Sequence, residues 1–154
     1  MITDINFHGK YMEIAMSQAR KAYHLGEVPV GAIIVRNDEI IAKSCNMTIS
    51  KNDSTAHAEI EAIKKACKYV KNHRITNTTI YVTLEPCAMC YGAIIQSRID
   101  LIVFGAYDKN TGVCGSCSNL TESKCFNHKP KLVGGILENE CSDLLRKFFK
   151  ERRD

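Results

Sequence analysis

Thr79-Ile80-Tyr81-Val82-Thr83-Leu84-Glu85-Pro86-Cys87-Ala88-Met89-Cys90 reads as a buried strand running directly into a helix. Thr79 to Leu84 is rich in β-branched and aromatic residues, and Pro86 is the kind of residue that opens a helix. Cys87 and Cys90, three apart, then share one face of a first turn, so both sulfurs can reach one ion. The positive end of a helix also lowers thiol pKa and favours the thiolates that bind metal. Upstream, Ala56 to Tyr69 carries Ile60, Ile63 and Cys67 at three- and four-residue steps, an amphipathic helix with His57 and Glu59 in its opening turn. Two helix N-termini therefore converge on His57, Cys87 and Cys90.

One imidazole and two thiolates leave a zinc shell open at one position, and zinc acidifies water there to a pKa of about 7. Glu59 lies two residues from His57, a spacing that points the two side chains apart on a helix, so it stands beside the metal as an acid-base group. A structural zinc knuckle would need a fourth Cys or His near this set, and the sequence around His57 offers none. The pattern is that of catalytic zinc and hydrolysis.

Working outward, the spacing predicts a helix from about Gly9 to Leu25, with Met12, Ala15, Met16, Ala19 and Tyr23 on one stripe. Val30 to Val35 and Ile40 to Ala42 are apolar runs joined by Asn37-Asp38, a buried antiparallel hairpin. The cysteine helix runs to about Ser97, a fourth strand spans Ile99 to Gly105, and a fifth is read at Lys131 to Val133. A last helix, Leu137 to Arg152, follows. Strands alternating with helices give a three-layer α/β/α fold with the metal at the sheet's edge, off a strand's carboxyl end.

The chain has 154 residues, 45% of them hydrophobic, which fits one domain, 1–154, with a real core and no linker or repeat to divide it. Met1 to Asn6 lacks the basic and apolar blocks of a signal peptide, and no apolar run reaches membrane-spanning length, so a cytoplasmic protein is expected. Its eight cysteines are then read as metal ligands or free thiols, with Cys67 and Cys141 filling core volume. Cys114, Cys117, Cys125 and His128 are spaced like a second, closed zinc site, but they lie in a Gly-, Ser- and Asn-rich loop where unpaired thiols are the commoner state.

Thr55-Ala56-His57-Ala58-Glu59 and Thr83-Leu84-Glu85-Pro86-Cys87-Ala88-Met89-Cys90 resemble the cytidine deaminase superfamily, and in particular its bacterial tRNA adenosine deaminase branch. The likeness covers nearly the whole chain, including Val28-Pro29-Val30-Gly31-Ala32, Val103-Phe104-Gly105-Ala106, Thr111-Gly112, Asn127-His128 and Phe148-Phe149. It implies a five-stranded mixed sheet, one zinc ion per subunit, a homodimer, and hydrolysis of adenosine to inosine at the wobble position of a tRNA anticodon loop. Glu59 would move protons to and from the base, and Ala58 would offer a backbone N–H. By the same resemblance Asn46 would hydrogen-bond the flipped nucleotide, Val28, Val30 and Leu84 would wall the base pocket, and Asp108 would touch ribose.

Residues left to themselves read more plainly. Asn46 is a turn residue, Asp108 a turn aspartate before Lys109-Asn110, and the three apolar residues are core. A net charge of +4 is modest for a polyanion binder. RNA contacts fall to Lys147, Lys150, Arg152 and Arg153, which could equally be the solvated face opposite Leu144, Leu145 and Phe148. Ser54 stands where the family commonly has proline, Tyr91 replaces a small residue, and Cys117-Ser118 replaces an apolar pair; none removes a catalytic group. Two other readings use the same zinc site: a deaminase of free guanine, cytosine or cytidine, and a non-catalytic zinc module that binds nucleic acid.

Overall fold

The computed structural model describes residues 4–153, so the first three residues of the stretch read for a signal peptide lie outside it. Helix α1 spans Ile5–His24, strand β1 Gly31–Arg36, β2 Glu39–Cys45, α2 Ala58–Val70, β3 Thr79–Leu84, α3 Ala88–Gln96, β4 Leu101–Ala106, β5 Lys131–Val133 and α4 Glu138–Arg153. The strands form one mixed sheet in the order β2-β1-β3-β4-β5. β1 pairs antiparallel with β2 and β3, whereas β3–β4 and β4–β5 are parallel. This is the three-layer α/β/α arrangement with the five-stranded mixed sheet that the sequence and the resemblance led us to expect.

Alternation along the strands divides the core in two. Ala32, Ile34, Ile80, Val82, Ile102 and Phe104 face α2 and α3, where Ala62, Ala66, Tyr91, Ile94 and Ile95 meet them. Ile33, Val35, Tyr81 and Val103 face the other way, onto Tyr11, Met12, Ala15 and Met16 of α1 and Cys141 of α4. Each fully buried aliphatic side chain contributes about 1.5–3 kcal/mol. The layers are close: a Cβ at Gly31 would lie 2.1 Å from the Ala15 carbonyl oxygen, so α1 packs directly on the backbone of β1.

Several boundaries move for local reasons. α1 begins at Ile5 and not at Gly9, because Asp4 caps it, its carboxylate accepting from the amides of Asn6 and Phe7 at 3.0 and 3.1 Å. The Asn37-Asp38 hairpin forms as expected, with both residues at positive φ, which suits the twist of a two-residue turn. β1 is shifted by one residue from its apolar run, and β2 is longer than its own because ladder pairing continues to Glu39 and Cys45. Tyr91 is buried and packs edge-on against Phe126. Cys141 fills core as read, touching the Met16 sulfur, while Cys67 is only half-buried.

Candidate active site

His57 is not in the first turn of α2, as its spacing predicts, but is the N-cap residue, with extended backbone at φ −68° and ψ 154°. Cys87 is likewise the N-cap of α3, displacing Pro86 from the helix to the loop before it, and Cys90 sits in the first turn. The N-cap position turns each side chain inward across its helix end, so convergence survives the shift. His57 Nδ1 lies 3.7 Å from Cys87 Sγ and 3.5 Å from Cys90 Sγ. Two ligands on a tetrahedral zinc, one nitrogen and one sulfur at ordinary bond lengths, are about 3.6 Å apart. The three donor atoms all lie within 4.8 Å of one another, a group positioned to bind a metal and the one such group among the described residues.

Proton affinities point the same way. The hydrogen bond from Cys90 is the largest influence on Cys87, and with His57 it lowers the Cys87 thiol to about 4. Cys90 is pushed well up by the same contact and by burial. His57 is raised, first by its hydrogen bond to Cys87. Three donors that share protons in this way are a set that a cation would relieve.

Glu59, in the first turn of α2, is 4% exposed. Burial pushes its carboxyl up to about 7, with the Cys87 thiolate adding to the rise and its own backbone amide opposing it. A carboxyl there can both accept and return a proton near neutral pH.

Beside these groups is a cavity of about 240 Å³ lined by Val28, Val30, Asn46, Thr48, His57, Ala58, Glu59, Leu84, Glu85, Cys87, Asp108 and Thr111. All six residues read as substrate contacts are on its wall. The Asn46 side-chain nitrogen donates to the Val28 carbonyl at 3.4 Å, and its Oδ1 is buried without a partner. An orphaned buried acceptor on a cavity wall is a place for a ligand donor. Asp108 is also a turn aspartate: its carboxylate accepts from the amides of Asn110 and Thr111 at 3.0 and 3.2 Å and from the Thr111 hydroxyl at 2.7 Å.

The basic residues of α4 are exposed, and two of them are stacked: Lys147 over the Tyr23 ring and Arg152 over the Phe148 ring, at 5.3 and 4.2 Å. A Cβ on Gly26 would lie 3.5 Å from the Arg152 guanidinium, which places that residue beside the segment leading to Val28. Lys150 and Arg153 are exposed. The four residues spaced like a second zinc site do not assemble. Cys114 is buried in a bridge with Asn119, Cys117 and Cys125 are exposed, and His128 Nε2 is 2.6 Å from the Ile99 carbonyl oxygen.

Thr48 and Glu27 escape the sequence reading, and Thr111 and Glu85 enter it only as letters of matched stretches with no role assigned. Thr48 and Thr111 line the cavity, and Glu27, fully buried, accepts from the amides of Ile49 and Ser50 and from the Ser50 hydroxyl, holding the loop that carries Thr48. Glu85 was in view only as a letter of the motif that precedes the cysteines.

A family model for MafB19-like deaminases matches residues 6–153. The tRNA-specific adenosine deaminase of Bacillus subtilis (strain 168) is 46% identical over 143 residues, covering 93% of this chain and 89% of that protein. The protein of the same name from Haemophilus influenzae is 46% identical over 149 residues, covering 96% and 86%. A solved structure from work on A-to-I editing by tRNA:A34 deaminases at the wobble position superposes with TM-score 0.86 at 38% identity, covering 88% of this chain and 98% of that one. A guanine deaminase structure from Bacillus subtilis gives TM-score 0.62 at 36% identity, over 65% of this chain and 64% of its own. By identity spread over nearly its whole length, the chain belongs to the MafB19-like deaminases and to the family of tRNA-specific adenosine deaminases.

Proposed function

We propose that the protein removes the 6-amino group of adenosine in tRNA by hydrolysis, at the wobble position of an anticodon loop, giving inosine and ammonia. The observation that carries the reading is the placing of Glu59, buried and with its carboxyl near neutrality, beside the His57, Cys87 and Cys90 donors on the wall of a base-sized cavity. Those three residues would hold one zinc ion, which supplies Lewis acidity and brings the pKa of water to about 7.

The chain's own groups do the rest. Glu59 takes a proton from the attacking water, passes it to the ring nitrogen next to C6, and returns a proton to the departing amine, a shuttle worth about two to four orders of magnitude in rate. The amide of Ala58 and Oδ1 of Asn46 fix the base, with Val28, Val30 and Leu84 as apolar walls. Asp108 meets the ribose, and the exposed cations of α4, Lys150 and Arg153, with Lys147 and Arg152 beside them, meet phosphates. Single-stranded loops suit such a site because a base there can be splayed out at low cost.

The same proposal takes 1–154 as one deaminase domain working as a cytoplasmic homodimer, which the family resemblance supports. No helix among the described residues is long and apolar enough to cross a membrane.

The runner-up, a free guanine deaminase, draws on the partial match to the guanine deaminase structure. Nucleoside analysis of a tRNA bearing a wobble adenosine tests the proposal. Wild-type protein converts that adenosine to inosine and Glu59→Gln leaves it intact; conversion by Glu59→Gln at the wild-type rate would remove Glu59 from the mechanism.

A further inference from the structure

The segment between β4 and the 3-10 turn at Leu120–Glu122 contains no helix or named strand, yet it supplies Asp108 and Thr111 to the cavity wall. Beside backbone bonds of its own, such as Gly112 N–H to the Asp108 carbonyl at 2.8 Å, the segment is gathered by one side chain that also lines the cavity. Glu85, at the end of β3 and 2% exposed, accepts from the backbone amides of Asp108, Cys114 and Ser116 at 3.1, 2.8 and 3.2 Å, and from the Ser116 hydroxyl. A carboxylate offers about four acceptor directions, and four donors from nine residues of loop fill them. Gly112 closes over the group: a Cβ there would lie 2.5 Å from the Glu85 carboxyl carbon and 2.7 Å from Oε1. The Asp108 amide held by Glu85 belongs to the residue whose carboxylate ties Thr111, so both cavity residues are set by one anchor.

We propose that Glu85 is a positioning residue that holds Asp108 and Thr111 at the cavity mouth, and so sets affinity for the RNA substrate without taking part in proton transfer. The proposal rests on the deaminase reading above. Its two carboxyl oxygens are occupied by four donors of the loop, which leaves little capacity for chemistry. Replacing it by the isosteric amide puts an NH2 group against backbone N–H donors, which must then move apart.

The test is a double-mutant cycle with a zinc-loaded protein and an anticodon stem-loop, using wild type, Glu85→Gln, Asp108→Ala and the double variant. Glu85→Gln is expected to raise KM about tenfold or more while kcat changes little. In the Asp108→Ala background most of that rise should vanish, because Glu85 acts through the residue already removed. Gly112→Ala, which pushes the loop off the carboxylate from the opposite side, should reproduce the KM effect if Glu85→Gln folds poorly. Loss confined to kcat, or effects of Glu85 and Asp108 that multiply independently, would overturn the proposal. Amide hydrogen exchange separates it from the deaminase reading. Asp108, Cys114 and Ser116 should exchange slowly in wild type and faster in Glu85→Gln whether or not inosine is formed, and equal exchange in both proteins would refute the anchor.

Discussion

Asn46 donates from its side-chain nitrogen to the Val28 carbonyl, and that bond leaves Asn46 Oδ1 as the one buried side-chain polar atom without a partner among the described residues. The bond fixes the amide plane of a residue on the cavity wall and leaves its acceptor without a donor. Asn46→Ala is expected to cost roughly 1–3 kcal/mol of transition-state binding, seen in kcat/KM for a stem-loop substrate. An unchanged kcat/KM would assign Asn46 to the turn alone.

Removing any one of His57, Cys87 and Cys90 should abolish stoichiometric zinc, because the donors are spaced for one tetrahedral ion and no fourth side chain among the described residues joins the group. Glu59→Gln should keep about one zinc per chain and lose activity by about two to four orders of magnitude. Metal analysis beside activity makes the distinction: zinc lost from Glu59→Gln would make that residue a ligand.

Acid should loosen the loop that carries Thr48. Glu27 is desolvated by burial, which raises its pKa, but hydrogen bonds from Ser50, Ile49 and Thr48 outweigh this and hold it below 4.5. Burial also opposes ionisation of Glu61, and Lys51 and Lys64 outweigh it, again with a net lowering. A carboxyl lowered on folding contributes stability above its unfolded pKa, and that contribution is lost as pH falls through the folded value. Thermal midpoints should therefore hold above about pH 4.5 and decline below it. Glu27→Gln and Glu61→Gln should lower the midpoint at neutral pH and flatten the acid decline; an acid decline as steep as wild type in both variants would contradict this.

Lys150→Ala with Arg153→Ala should weaken RNA binding across sequences and reduce the slope of log affinity against log salt by about two phosphate contacts' worth. The fold should be unaffected, since both side chains are exposed. Lys147→Ala and Arg152→Ala differ in kind, because these cations cover Tyr23 and Phe148 and their loss also removes packing. A salt slope unchanged in the Lys150/Arg153 pair would return them to a solvated face.

How legible each part was depended on the range of the interaction that fixes it. Continuous apolar and β-branched runs and the Asn37-Asp38 turn are local, so the hairpin and β3 could be read directly. The α1 start was misplaced because its cap, Asp4, lies well before Met12, where the helical stripe becomes clear. His57 and Cys87 were placed inside helices because spacing does not distinguish an N-cap residue from the first turn, although either choice brings the donors together. Glu27 and Glu85 escaped notice for the opposite reason: each acts on loop amides more than 20 positions away, and a glutamate beside a strand carries no periodic signal. For Glu85 the only available sign was its place two residues before Cys87.

The most direct measurement incubates zinc-loaded protein with an anticodon stem-loop bearing a wobble adenosine and, in parallel, with free adenosine, cytidine and guanine, scoring inosine and ammonia. The account predicts inosine in the stem-loop and no ammonia from the free compounds. Ammonia from a free base or nucleoside with the stem-loop unchanged would contradict it, keeping the fold, the metal donors and Glu59 but giving the cavity a different substrate.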